Sequence, residues 1–203
     1  MMLKRREKLE EMLVDARVKA ARIKGRRPKV YVRGAIAIMS DDPLDLRAIN
    51  ETIAQIEGGD SRDEAIVIFS GKLAKARKFS QAREMVNGIT TDGMFWRADA
   101  CLAIWNHSGN PRDLAEAKRY AASTRSEIHR NDLLEHIKDL EEEGPRPSQP
   151  RKHSVAQQDY FADMLDALDK IVEHEEAHDA DGAFERARMF ADWANILAEE
   201  LRK

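Results

Sequence analysis

From Gly25 to Pro111 helix-stop and helix-start signals follow one another so closely that this stretch has room only for short helices. Gly25 closes a first helical stretch, and Arg26–Arg27–Pro28 opens another, with proline suited to a first helical turn. Asp41–Asp42–Pro43 caps a start, Gly58–Gly59 ends a helix, and Asp60–Ser61 can cap the next. Asn87–Gly88, Thr91–Asp92 and Ser108–Gly109–Asn110–Pro111 repeat the pattern. Helices of about 12–16 residues with tight connections fold as antiparallel hairpins. Val30–Tyr31–Val32 is too short a β-branched run to compete. Hydrophobic residues at 42% can build a core, while 35% charged and 6% aromatic residues suit thin helical layers. The expected fold class is all-α, with antiparallel helical hairpins stacked into a short solenoid and a further helical hairpin at the C-terminal end.

Equivalent positions recur at a separation of about 34 residues. In the middle hairpin Ile66, Phe69, the small Ser70 and Leu73 precede Phe79, Ala82, Val86 and Ile89. Val32, Ala35, Ile36 and Met39 take the first set of places one period earlier, with Asp45, Ala48, Thr52 and Gln55 in the second. Ala98, Cys101, Leu102, Trp105, Gly109, Ala117 and Thr124 take them one period later, about two residues being inserted near 110–112. The small residue lets one helix approach its neighbour, and the alanine sits where the two cross. This pattern resembles the tetratricopeptide repeat, over residues 29–125. Asp45 stands where the family usually has an aromatic residue, and Arg77 where it usually has glycine.

Around this core three further segments are expected. Residues 1–27 form a basic amphipathic helix with the apolar seam Leu9, Leu13, Ala16, Ala20 and Ile23. Residues 28–143 are the repeat domain, its last helix, 126–143, serving as a cap with Ile128, Leu133, Leu134, Ile137 and Leu140 turned inward. Residues 144–154 (GPRPSQPRKHS) form a proline-rich linker, and residues 155–203 a helical hairpin of two helices, 155–178 and 183–202. Phe161, Met164, Leu165, Leu168, Ile171 and Val172 face Phe184, Ala187, Phe190, Ala194, Leu197 and Leu201 across that hairpin. So small a hairpin needs the repeat body or a second copy of the chain to cover it. Twelve Lys and Arg against four acids give residues 1–33 a charge of +8, leaving −11 for the rest of a chain whose net charge is −3. The basic arm therefore docks on its own acidic body or, as the alternative from another class, tracks nucleic-acid phosphates.

Few residues point to catalysis. His174–Glu175–Glu176–Ala177–His178 matches the HExxH pattern, in which two histidines one helical turn apart hold zinc and the glutamate polarises a water. Here a third histidine downstream is lacking, the third position is charged, and the pattern abuts the turn Asp179–Ala180–Asp181–Gly182. A zinc hydrolase is thus a second alternative, and the expected cofactor set is empty. Cys101, the one cysteine, falls on a core position of the repeat and is expected to be a structural thiol. No glycine-rich phosphate loop or GxSxG elbow occurs. With no apolar run of membrane-spanning length and a charged start at Met1 to Arg6, the expected setting is cytoplasmic.

The resemblance to tetratricopeptide repeats implies a groove lined by the first helix of each hairpin. Transferred position by position, its lining is Val30, Arg33 and Ala37, then Glu64, Val67 and Lys75, then Trp96, Asp99, Ala103 and Asn106. Arg33, Val67, Lys75, Trp96, Asp99 and Asn106 are its candidate contact residues, with Trp96 as an aromatic anchor. Ala37 and Ile68 occupy places where the carboxylate-clamp form has asparagine, so capture of a peptide C-terminus is not expected. The implied function is a non-catalytic scaffold for a protein or peptide partner.

Overall fold

A computed structural model describes residues 2–40, 42–90, 93–145 and 160–200. Ten helices run through the described residues with no strand among them, so the fold is all-α. They are α1 (Met2–Arg22), α2 (Arg26–Met39), α3 (Pro43–Ala54), α4 (Gly59–Lys75), α5 (Phe79–Val86), α6 (Met94–Ser108), α7 (Pro111–Ala122), α8 (Glu127–Glu143), α9 (Tyr160–Glu176) and α10 (Ala180–Glu200). No described helix is long and apolar enough to cross a membrane.

The caps explain the boundaries. The Asp42 side chain accepts from Leu44 N ahead of Pro43, and Asn110 accepts from Arg112 N ahead of Pro111. Ser126 accepts from His129 N at the start of α8. Two expected boundaries shift. The glycines at 58–59 begin α4, with Gly58 at φ +87° as its N-cap, because α3 has already ended at Ala54. The last helix begins at Ala180, since the preceding turn closes at Asp179. The proposed cap at Thr91–Asp92 and most of the 144–154 linker lie outside the described residues.

Packing divides the chain into two compact units, residues 1–55 with 151–203, and residues 56–150. In the first unit α2 is the central helix. Its run Val32–Met39 is apolar on every side apart from Arg33 and Gly34, and a helix of that kind must be covered all round. It is covered by α1, α3 and above all α10, with α9 packing on α1 and α10. Tyr31 meets Phe184 edge to face at 5.3 Å across the α2–α10 contact. The spacing of equivalent positions groups the first hairpin with the later ones, whereas in this unit its α2 packs with α1 and α10.

The seam of α1 is buried along its length: Leu9, Met12, Leu13, Ala16, Ala20 and Ile23 are all 8% exposed or less. Its cations find acids within the same unit. Arg17 grips Asp45, Lys19 pairs with Asp15 and Asp169, and Arg22 reaches Glu176 at 2.9 Å. The basic arm thus packs on α2 and α9 of its own unit.

In the second unit the hairpins α4–α5 and α6–α7 pack side by side, and α8 lies on α6 and α7. Ile66, Phe69, Ser70, Leu73, Ala82, Val86 and Ile89 are all buried. Leu133 and Ile137 of α8 are buried too, but Ile128 and Leu134 are exposed, so this helix turns a narrower apolar edge inward than its composition implies.

Candidate functional site

Helix α6 is contacted by α4, α5, α7 and α8. Between those neighbours it buries Ala98, Ala100, Cys101, Leu102, Ile104 and Trp105. What stays half-open includes the stripe Trp96, Asp99, Ala103 and Asn106, spaced three or four residues apart and therefore on one helical face. The parallel stripe on α4 is Val67, Gly71 and Lys75, also half-buried. The two stripes lie alongside each other. A Cβ added to Gly71 would stand 3.4 Å from the Ala103 methyl, and Lys75 is close enough to His107 to hold the imidazole pKa down, a minor cause beside burial. On the far side of α6, Phe95 meets the His129 ring at 5.2 Å, and Asp99 feels His136. These two correspondences show α8 running alongside α6 in the same direction. A face of three co-directional helices, α4, α6 and α8, results.

Within it Trp96 stacks edge to face on Phe95 at 5.0 Å, and its indole Nε1–H points to Asp60 at 3.4 Å. Burial pushes the Asp99 carboxyl above its ordinary range, against a smaller opposing pull from His136. Five of the expected contact residues, Val67, Lys75, Trp96, Asp99 and Asn106, thus lie in this unit on α4 and α6. Arg33 belongs to the other unit. Its guanidinium donates to Ala48 O at 3.0 Å and Thr52 Oγ1 at 2.8 Å, so it ties α2 to α3. Val30 and Ala37 are buried at 2% and 4% exposure and line no open face.

The HExxH residues are engaged in a helix end. Asp179 N donates to His174 O and His178 N to Glu175 O, a closure that puts His178 beyond α9 at φ +60°. The two histidines therefore do not share a helical face. His174 Nδ1 pairs with Asp179 at 2.8 Å, and Glu175 Oε2 accepts from Lys24 N and Gly25 N of the α1–α2 connection at 3.1 and 2.9 Å. No cluster of three metal-ligating side chains occurs among the described residues. Burial raises the Cys101 thiol to about 12, which makes it a poor nucleophile at neutral pH.

One arrangement escaped the reading of the sequence. Ser40–x–Asp42–Pro43–x–Asp45–Leu46 recurs as Ser108–x–Asn110–Pro111–x–Asp113–Leu114, and the two segments form the same network. Each serine hydroxyl accepts from the backbone N–H two residues on, of Asp42 or Asn110, at 2.9 and 3.1 Å. Each second aspartate is buried and held by both arms of an arginine, Arg17 on α1 for Asp45 and Arg83 on α5 for Asp113. Since Arg17 follows Ala16 as Arg83 follows Ala82, α1 plays toward α2–α3 the part that α5 plays toward α6–α7. Matching clefts result. Arg17, Ala20, Arg33, Ile36, Leu44, Asp45 and Ala48 line one of about 340 Å³. Their counterparts Arg83, Val86, Cys101, Ile104, Arg112, Asp113 and Glu116 line one of about 330 Å³. The recurrent Ser–x–[Asp/Asn]–Pro–x–Asp was the available signal. No protein family, curated protein or solved structure matches this chain significantly.

Proposed function

We propose that this protein is a non-catalytic, tetratricopeptide-like interaction module that engages a protein or peptide partner through the face of α4, α6 and α8. One observation carries the reading. A helix packed on by four others keeps among its half-open residues a stripe that bears an aromatic, an acid, a small residue and an amide rather than a uniform set of solvated charges. Such a mixture is what recognition surfaces present around an aromatic anchor. The engagement of Glu175 with the α1–α2 connection and of His174 with Asp179, and the high pKa of Cys101, favour binding over hydrolysis or thiol chemistry. The pairing of Arg17, Lys19 and Arg22 with acids of their own unit favours a protein partner over nucleic acid.

The test is affinity capture by the intact chain beside a Val67→Glu/Asn106→Arg variant, both confirmed folded by circular dichroism. A partner retained by the first and lost by the second supports the proposal. Retention of every captured protein by the variant would move the binding surface elsewhere.

A further inference from the structure

We propose that the surface of α1 and α2 is a docking site for the α9–α10 hairpin of a second copy of this chain, so that two copies pair by exchanging hairpins. This goes beyond the interaction face and stands on the first unit alone. In the second unit α4 covers both α5 and α6, and the short stretch 76–78 joins it to α5. Their counterparts α1 and α2 are covered instead by α9 and α10, which come from far along the chain. The cover is therefore tied to what it covers only by way of the second unit and the connection 144–159. A tether of that kind presents a hairpin to its own chain at an effective concentration on the order of millimolar, within reach of a second copy.

The acceptor is shaped to this hairpin rather than to helices in general. Gly25 leaves room for the Glu175 carboxylate, which a Cβ there would strike, and Glu175 accepts from Lys24 N and Gly25 N. Lys19 meets Asp169, Arg22 meets Glu176, and the Tyr31 ring meets Phe184. Each contact joins α1, α2 or their connection to α9 or α10, so a hairpin from a second copy makes the whole set. An unrelated helix pair lacks the acids at 169, 175 and 176.

The closed unit also holds its cover loosely. Asn195 of α10 is buried, its amide donates to Ala191 O, and its Oδ1 finds no donor among the described residues. Alanines 183, 187, 191, 194 and 198 make up much of the buried face of α10, and each buries less apolar surface than a leucine or isoleucine. The Arg22–Glu176 pair is exposed on both sides and weak. Exchange re-forms every contact in the partner, so pairing is governed by chain concentration. The pair carries two α4–α6–α8 faces, a bivalent form of the proposed module.

The test uses the full chain. Equal amounts of carbon-13-labelled and unlabelled chains are unfolded, refolded together at about millimolar concentration, and separated by size-exclusion chromatography with light scattering. The expected result is a dimer fraction whose isotope-filtered spectra show Tyr31 of one chain against Phe184 of the other, a signal absent from the monomer fraction. A second measurement needs no refolding. Lys19→Glu/Arg22→Glu is mixed with Asp169→Lys/Glu176→Lys, each confirmed folded by circular dichroism. Within either variant like charges face each other, and only exchange matches both halves, so the mixture is expected to hold a several-fold larger dimer share than either variant alone. Monomer alone after joint refolding, or a mixture no more dimeric than its parts, would overturn the proposal. A dimer without the Tyr31–Phe184 signal between chains would overturn it too, leaving the α4–α6–α8 face to be decided by the partner capture described above.

Discussion

Arg77 and Asp99 are both held in environments that oppose them, in different ways. Arg77 sits at φ +57° in the turn closing α4, where Lys78 N donates to Leu73 O and Arg77 N to Ala74 O. That closure is commonly made by glycine, which has no Cβ to crowd the left-handed conformation. Arg77→Gly is therefore expected to raise stability by about 0.5–1 kcal/mol, the left-handed penalty less the entropy glycine adds to the unfolded chain. Thermal unfolding measures it, and an unchanged or lowered midpoint would contradict the turn geometry. For Asp99 the cost is electrostatic. Burial holds its folded-state pKa above the unfolded value, so the folded chain binds that proton more tightly. Stability is lost as pH rises through the interval between the two values and regained as pH falls through it. Asp99→Asn should melt above the parent at neutral pH, with the gap closing on acidification below the ordinary aspartate range. A gap independent of pH would show that the carboxylate is not desolvated.

At the scale of elements, the recurrent arginine–aspartate grip sets how one helix is placed on the next hairpin. Arg83 Nε and Nη2 meet Asp113 at 2.7 and 2.8 Å, and Asp113 is only 5% exposed. Arg83→Ala leaves that charge with the Ser108 hydroxyl, and the expected loss is about 2–3 kcal/mol, short of the full cost for a deeply buried pair because Arg83 is partly solvated. Arg83→Met with Asp113→Leu should recover much of it, since neither charge is then stranded. Denaturant unfolding of the single and double variants makes the measurement, and additive losses would contradict the pairing. Asp45 also shows why the sequence was only partly legible. An acid where the repeat wants an apolar residue reads as a weak match. Its meaning appears only with Arg17, which lies on α1. Helix ends were legible at Pro43, Pro111 and Ser126 because caps are local chemistry.

For the whole molecule, the long-range pairing was the hidden part. Glu175 accepts from Lys24 N in the connection between α1 and α2, a contact spanning 151 residues, and no periodicity in the chain signals it. The surplus was visible, however. The apolar run of α2 needed more cover than its own hairpin could give, and the seam of α1 and the faces of α9 and α10 needed something to cover. The stripe Trp96, Asp99, Ala103 and Asn106 came from the resemblance to the tetratricopeptide repeat, and the fold leaves these four residues half-buried on one face of α6. Val30 and Ala37 were not legible as buried, because the register does not show which face α10 occupies. The central claim is that the α4–α6–α8 face meets a partner. It is tested most directly by site-specific photo-cross-linking in living cells, with a photoreactive residue placed in turn at Val67, Asn106 and the exposed Glu84 of α5. A discrete protein adduct from positions 67 and 106, and none from 84, is the result predicted. Adducts from position 84 alone, or equally from all three, would contradict it.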